Sequence, residues 1–289
     1  MFAIAGVSGH TGAVVAETLL AAGQPVRVVV RDAARAAPWA ARGAEVAVAD
    51  LGDAAALTRA LAGVRGAYLL VPPRLASTDP LGDNRAVTAA LATAVRAAAV
   101  PHVVLLSSVG AHHASGTGPI VSVHHAEQEL GATGAALTAV RAAYFQDNWG
   151  ASLGLLGQGV LPTFLPADLA FPQVATADIG KVAAQALVEG GRGRQVIELT
   201  GPRSWSARDV AAALSTITGR TIVAQEAPLD AVVPTFTQFG ISAAMAGLYR
   251  EMYQGIIDGR VVMEGGAARA VAGSVAVDAT LRRLLAPAS

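Results

Sequence analysis

The sequence predicts an α/β protein built on a doubly wound parallel sheet, with a smaller C-terminal lobe. Three observations carry this. Short apolar segments alternate with helical ones at a spacing of roughly 20–25 residues over the first half of the chain. The strand segments are β-branched and nearly continuous in apolar character, as in Pro25-Val-Arg-Val-Val-Val30, which suits strands covered on both faces. The first strand runs directly into Gly6, Gly9 and Gly12 and then into a helix. With 289 residues, 53% of them hydrophobic and 15% charged, the chain is long enough to bury a sizeable core.

The elements follow in order. Phe2 to Ala5 is the first strand, and a helix runs from Ala13 to Ala22. The second strand ends at Arg31-Asp32. A helix is expected over 33–42 and is stopped by Gly43. The third strand, Ala44 to Val48, leads to Asp50-Leu51. A helix over 53–62, capped by Asp53, is stopped by Gly63. Gly66 to Val71 is the fourth strand, closed by Pro72-Pro73. A long helix is expected from Asn84 to Ala99, then a fifth strand from Pro101 to Leu106 ending at Ser107-Ser108. A glycine-bearing polar loop over 109–122 precedes a helix from His124 to Ala132, and Ala136 to Val140 is the sixth strand. Beyond residue 150 the rhythm changes. A Gly/Pro-rich stretch covers 150–172, a helix runs from Asp178 to Glu189, and Gln195 to Thr200 is a strand expected at the sheet edge. Ser206 and Asp209 form a capping box with Asp in place of Glu, opening a helix over 207–218. A short strand spans Thr221 to Gln225, and two helices lie within 228–257.

Ligands of such sheets bind at the strands' C-terminal ends. That rule gathers Gly6–Gly12, Arg31, Asp50, Val71–Pro73 and Ser107–Gly110 on one rim, with Tyr144 and Asn148 leaving the sixth strand toward it. A strand, a glycine turn and a helix N-terminus together bind anions: N–H groups point outward, the helix dipole favours negative charge, and glycine admits a phosphate to the main chain. The reading is a dinucleotide pyrophosphate site at Gly6, Ser8, Gly9, His10, Thr11 and Gly12. At the end of the second strand an NAD-selecting site usually carries an acid. Here the first residue is Arg31, whose donor fork suits a 2′-phosphate, so NADP(H) is expected over NAD(H).

Composition excludes several alternatives. Zero net charge argues against a nucleic-acid surface. The absence of Cys removes disulfides, thiolate metal sites and Cys nucleophiles. Adjacent His residues, as in His112-His113 and His124-His125, point apart, so no metal site is expected. Lys181 is the only lysine among 21 lysines and arginines, and no Tyr-x-x-x-Lys occurs. A lysine-assisted tyrosine acid therefore cannot be assembled locally. Met1 leads straight into the first strand with no signal peptide. The apolar stretch Asn148 to Ala167 holds four Gly and two Pro and is a poor membrane span, so a cytoplasmic protein is expected.

Several pieces, in order along nearly the whole chain, resemble the NmrA-like family, atypical members of the short-chain dehydrogenase/reductase superfamily. They are Ala5-Gly-Val-Ser-Gly-His-Thr-Gly12, Val30-Arg31-Asp32, Gly43-Ala-Glu-Val46, Ala49-Asp50-Leu51 and Leu106-Ser-Ser-Val-Gly110. Further on are Ala126-Glu-Gln-Glu-Leu130, Thr138-Ala-Val-Arg141 with Tyr144-Phe145 and Asn148, Ala177-Asp-Ile-Gly180 and Leu199-Thr-Gly-Pro202.

The resemblance implies a Rossmann domain over residues 1–150, rejoined by 173–200. A lid or substrate lobe is formed by 151–172 and 201–289. It also implies NAD(P) binding and, in some members, reduction of quinones or azo dyes; others are redox-sensing regulators. Asp50 and Leu51 are expected beside the adenine, Val71 and Pro72 along the cofactor, and Ser107 near the nicotinamide. Tyr144 and Asn148 would face its carboxamide or the substrate. Relatives often carry a lysine near the start of the helix after residue 120. Its absence makes His113, His125 and Tyr144 the candidate proton donors. Aromatic and Met side chains concentrated after residue 160, among them Phe164, Phe171, Phe236, Tyr249, Met252 and Tyr253, suit an apolar pocket. The expected activity is hydride transfer from NADPH to a small aromatic or conjugated acceptor, by a monomer or homodimer. A non-catalytic NADP(H) sensor acting through a protein partner is the alternative.

Overall fold

The computed structural model describes residues 1–286. β1 (Phe2–Ala5) leads to α1 (His10–Ala21), β2 (Val26–Val30), α2 (Ala37–Ala41), β3 (Glu45–Val48), α3 (Ala54–Leu61), β4 (Gly66–Leu69), α4 (Pro80–Ala97), β5 (His102–Ser108), α5 (Ile120–Gly131) and β6 (Ala136–Ala142). There follow β7 (Tyr144–Phe145), a 3-10 stretch Gln146–Gln158, β8 (Val160–Thr163), β9 (Phe171–Val174), α6 (Thr176–Glu189) and β10 (Arg194–Thr200). The chain ends with β11 (Ser204–Trp205), α7 (Ala207–Thr218), β12 (Val223–Glu226), α8 (Val232–Gln238), α9 (Ala243–Ile257), β13 (Arg269–Ala272) and α10 (Val277–Leu285).

Eight strands form one parallel sheet in the order β13-β10-β6-β5-β4-β1-β2-β3. β1 pairs with both β2 and β4, Ile4 standing opposite Val28 on one side and Tyr68 on the other. The chain winds outward from β1 toward β3 and, from β4, in the opposite sense. The crevice between β1 and β4 is thus the point where ligands enter such sheets. Strand residues alternate between two cores. Ile4, Val28, Tyr68 and Val104 pack with Val15, Leu19, Ile179 and Ala183 of α1 and α6. Ala3, Ala5, Val29, Val103 and Leu105 pack with Leu57, Leu61, Leu91 and Leu130 of α3, α4 and α5. Each such Leu contributes about 1.5–3 kcal/mol of burial.

Local chemistry explains where the elements depart from expectation. α4 starts at Pro80, four residues early, because the Asp79 carboxylate accepts the Gly82 N–H at 3.0 Å and Pro80 fits the first turn. The helix expected over 33–42 is split into a 3-10 turn, Ala33–Arg35, and α2. α5 begins at Ile120 rather than His124. The expectation that the strand ending at Thr200 lies at the sheet edge is corrected: β13 pairs outside it, with Ile197 opposite Arg269. β13 is short and largely exposed, which hides it in the sequence. Asp53 caps α3, and Ser206 and Asp209 form the reciprocal box of α7.

The second apolar body gathers Trp149, Leu161, Trp205, Leu214 and Leu281. α10 is tied to it by the Thr280 hydroxyl donating to Gln146 Oε1 at 2.6 Å and by the Arg283–Asp147 ion pair. No helix among the described residues is long and apolar enough to cross a membrane.

Candidate cofactor and substrate site

The turn after β1 is built around two glycines that nothing else can replace. Gly6 has φ +71°, and a Cβ there would lie 2.7 Å from Leu70 Cδ2. A Cβ on Gly12 would lie 2.6 Å from the Ala5 carbonyl oxygen, so α1 packs directly against the end of β1. Gly9 differs. Its φ is −107°, and an added Cβ would meet only the Gly6 oxygen, at 3.4 Å. Ser8, Gly9 and His10 are exposed, while Thr11 and Gly12 are buried. α1 has no side-chain N-cap and no acid in its first turn. Its first N–H groups therefore face the groove without an internal acceptor, and the dipole there is uncompensated. This is the arrangement a pyrophosphate fits. The Thr11 hydroxyl is engaged beneath the turn, accepting from the buried Tyr68 hydroxyl at 2.9 Å.

Next along the rim, Asp32 Oδ1 accepts the Ala34 N–H at 2.9 Å and is spent on its own turn. Arg31 and Arg35 are exposed and have no ion-pair partner among the described residues. The acid that complicates an NADP reading is occupied, and the guanidinium is available. Asp50 Oδ1 accepts the Gly52 N–H at 2.8 Å. Leu51, Val71 and Pro72 are half-buried.

At the ends of β5 and the β6–β7 connection, an apolar cavity of about 140 Å³ is lined by Ser108, Tyr144, Phe171, Met252, Ile256 and the segment Val261–Met263, together with Val109, Ile120 and Pro172. Ser108 and Tyr144 bring hydroxyls to it. Burial pushes the Tyr144 hydroxyl up to about 12, with Tyr253 and Asn148 beside it partly opposing. The Tyr144 ring packs edge-on against Phe171 at 5.4 Å, and Phe164, Phe236, Tyr249 and Tyr253 continue the aromatic body behind it. The volume matches an apolar cavity that admits a single benzene ring, about 150 Å³.

Behind the rim lies a buried charge cluster. Arg141, 2% exposed, binds the Glu127 carboxylate twice, Nε to Oε1 at 2.9 Å and Nη2 to Oε2 at 2.7 Å. The Ser107 hydroxyl donates to Glu127 Oε1 at 2.5 Å, and Arg194 Nη2 donates to Glu127 Oε2 at 2.8 Å. Arg141 also reaches Glu264 at 2.5 Å. Burial alone would lower the Arg141 pKa, but the bonds to Glu127 and Glu264 outweigh it and raise it, so the guanidinium stays charged. Arg141 is therefore held by two carboxylates. A second cavity of about 490 Å³, lined by Glu189, Arg194, Glu264 and Arg269, lies at the N-terminal ends of β10 and β13, away from this rim.

Gly6–Gly12, Arg31, Asp50, Leu51, Val71 and Pro72 thus share one rim. Of the Ser107-Ser108 pair expected on the rim, the Ser107 hydroxyl donates to Glu127, and Ser108 lines the cavity. Strand alternation decides this, since Ser107 falls on the face of Val103 and Leu105. Asn148 is exposed. Neither His113 nor His125 lines the apolar cavity, and His124 binds the Ala111 carbonyl at 2.7 Å. Among the described residues no cluster of His, Asp and Glu is placed to hold a metal. Ser108 was expected on the rim together with Ser107, and the parity of β5 separates the two. Glu127 and the Val261–Glu264 wall were not singled out from sequence.

Residues 1–259 match the model of the NmrA-like family. The chain is 29% identical over 256 residues to an NAD(P)H azoreductase of Xenophilus azovorans, covering 88% of this chain and 86% of that one. It is 31% identical over 233 residues to quinone oxidoreductase 2 of Escherichia coli (strain K12), covering 78% and 77%. It superposes with a TM-score of 0.83, at 25% identity and over 99% and 100% of the two chains, on the crystal structure of an NADPH-dependent quinone oxidoreductase complexed with NADPH from Escherichia coli.

Proposed function

The chain belongs to the NmrA-like family, and from that premise we propose that it is an NADPH-dependent oxidoreductase reducing a small aromatic or conjugated acceptor of the quinone type. One observation carries the acceptor class: an apolar cavity sized for one ring, with only Ser108 and Tyr144 contributing hydroxyls, at the C-terminal ends of the central strands. The open helix N-terminus at Ser8–Gly12 and the unpaired Arg31 support the cofactor assignment, and the quinone and azo reductases among its relatives agree with it.

In this reading the glycine turn Ser8–Gly12 seats the pyrophosphate, with the N–H groups of His10, Thr11 and Gly12 as its open donors, since the Gly9 N–H is spent on the Gly6 carbonyl. Arg31 takes the 2′-phosphate, Asp50 and Leu51 border the adenine, and Val71 and Pro72 flank the chain between them. Tyr144 and Asn148 border the nicotinamide end. When bound, NADPH supplies a hydride. The protein's own part is orientation, exclusion of water and handling of one proton. The Tyr144 hydroxyl is protonated at neutral pH as any tyrosine is, and burial holds that proton more firmly, so a proton stands beside the cavity without a lysine. Conjugated acceptors spread the developing charge and need no stronger acid. The enzyme is placed in the cytoplasm, as a monomer or homodimer.

The test is to mix the protein with NADPH or NADH and a panel of quinones and azo dyes, following absorbance at the nicotinamide band. Consumption of NADPH faster than NADH, with an aromatic acceptor, is expected. Tight NADPH binding without turnover across the panel would sink the enzymatic reading in favour of a redox sensor.

A further inference from the structure

We propose that Glu264 is a positioning residue that sets the width of the apolar cavity and so its selectivity among acceptors; this rests on the cavity being the acceptor site. Most of the cavity is held by regular structure: Ser108 by β5, Tyr144 by β7, Phe171 by β9, Met252 and Ile256 by α9. One wall is different. Val261, Val262 and Met263 lie between α9 and β13, where no helix or strand is formed. Gly259, Gly265 and Gly266 flank that wall at φ +68°, +72° and +64°. The wall is therefore the part of the cavity held by individual bonds and not by a helix or a strand ladder.

Five polar bonds fix it. The Val261 N–H donates to the Gly255 carbonyl of α9 at 2.9 Å. The Gly110 N–H donates to the Val262 carbonyl at 3.0 Å, tying the wall to the end of β5. The N–H groups of Glu264 and Gly265 donate to the buried Glu198 carboxylate at 2.5 and 3.0 Å. The Glu264 side chain accepts from Arg141 at 2.5 Å. Arg141 and Glu198 are register partners on β6 and β10, and Ser107 stands opposite Arg141 on β5. Three adjacent strands thus present fixed polar groups in a row, and Arg141 is immobilised by its double bond to Glu127. Of these bonds, only the Arg141–Glu264 contact pulls on a wall side chain. Glu264 is itself half-exposed, so it anchors the wall from the solvent side. Removing its carboxylate leaves Arg141 paired with Glu127, so no buried charge is orphaned and the fold is retained.

A cavity of about one ring should disfavour a two-ring acceptor while the wall is clamped. The experiment compares wild type, Glu264→Ala and Glu264→Gln with 1,4-benzoquinone and 1,4-naphthoquinone. In Glu264→Ala the KM ratio of naphthoquinone to benzoquinone should fall about tenfold, with kcat for each changing far less, and Glu264→Gln should lie between. Amide exchange at Gly110 and Gly265 should rise in the same order. Faster exchange with an unchanged KM ratio would mean a purely structural contact and overturn the proposal, as would unchanged exchange. If wild type reduces neither quinone, the oxidoreductase reading fails. The proposal is then judged by the calorimetric affinities of the two quinones, whose ratio must shift in the same direction.

Discussion

The hydroxyl of Tyr68 donates to Thr11 Oγ1 at 2.9 Å, bridging 57 residues of sequence between β4 and the first turn of α1. Tyr68 is fully buried and Thr11 nearly so. The bond locks the helix whose N-terminus faces the cofactor groove onto the neighbouring strand, across the β1–β4 crevice. Tyr68→Phe should cost about 1 kcal/mol of stability, as one buried hydrogen bond does. It should also weaken NADPH binding modestly, because the turn loses its support. Urea unfolding and fluorescence titration with NADPH measure both.

Two glycines of the same turn should respond oppositely. Gly12→Ala drives a methyl into the Ala5 carbonyl and should destabilise by about 1–3 kcal/mol, lowering the melting temperature. Gly9→Ala meets only a 3.4 Å contact and a permitted φ, so its melting temperature should stay near wild type while its methyl stands in the groove and weakens NADPH binding. Equal effects on melting would contradict this separation.

Arg31→Ala should raise the Kd for NADPH by about 10–100-fold, the range of a hydrogen-bonded charge, and leave NADH nearly unaffected. Asp32→Ala should not reverse that preference, since its carboxylate caps the following turn. Parallel titrations with the two cofactors decide the point.

Glu127→Ala should be the most damaging of these substitutions. It leaves the buried Arg141 with only the half-exposed Glu264 and removes the acceptor of Ser107 and Arg194. Loss of one partner of a buried pair costs about 3–5 kcal/mol. Denaturant midpoints should place Glu127→Ala well below Glu264→Ala.

Alkaline pH should unfold the protein for an identifiable reason. Burial first, in each case, holds the hydroxyls of Tyr68, Tyr144, Tyr249 and Tyr253 above the ordinary tyrosine value of 10.0. The unfolded chain loses these protons near pH 10 while the folded one keeps them, so stability is intact below pH 10 and falls above it. For Tyr144 the loss spans pH 10 to about 12. The urea midpoint should drop between pH 9 and pH 11, and less steeply in Tyr144→Phe.

The frame of this protein is local chemistry and is readable along the chain. The β-branched runs, the cap at Asp53, the Ser206–Asp209 box and the glycine triplet all act within a few residues. They suffice for a parallel sheet with a glycine turn after its first strand and Arg31 after its second. The expected boundaries slipped where a local signal was passed over, as at Asp79-Pro80, or where the element was too short and exposed to mark itself, as at β13.

What tertiary structure alone decided is which groups meet across long sequence separations. Arg141 finds Glu127 at a distance of 14 residues and Glu264 at 123, and no periodicity announces either partner. The same packing turned Ser107 into the interior and Ser108 toward the cavity, since one residue of register exchanges the faces of a strand. It also closed the cavity with a wall from beyond α9. The sequence by itself determined the strands of the central sheet, their turns and the open N-terminus of α1, because those depend on neighbours along the chain. The width of the apolar cavity and the pairing of the buried charges behind it depend on neighbours in space, and only the folded chain brings those together.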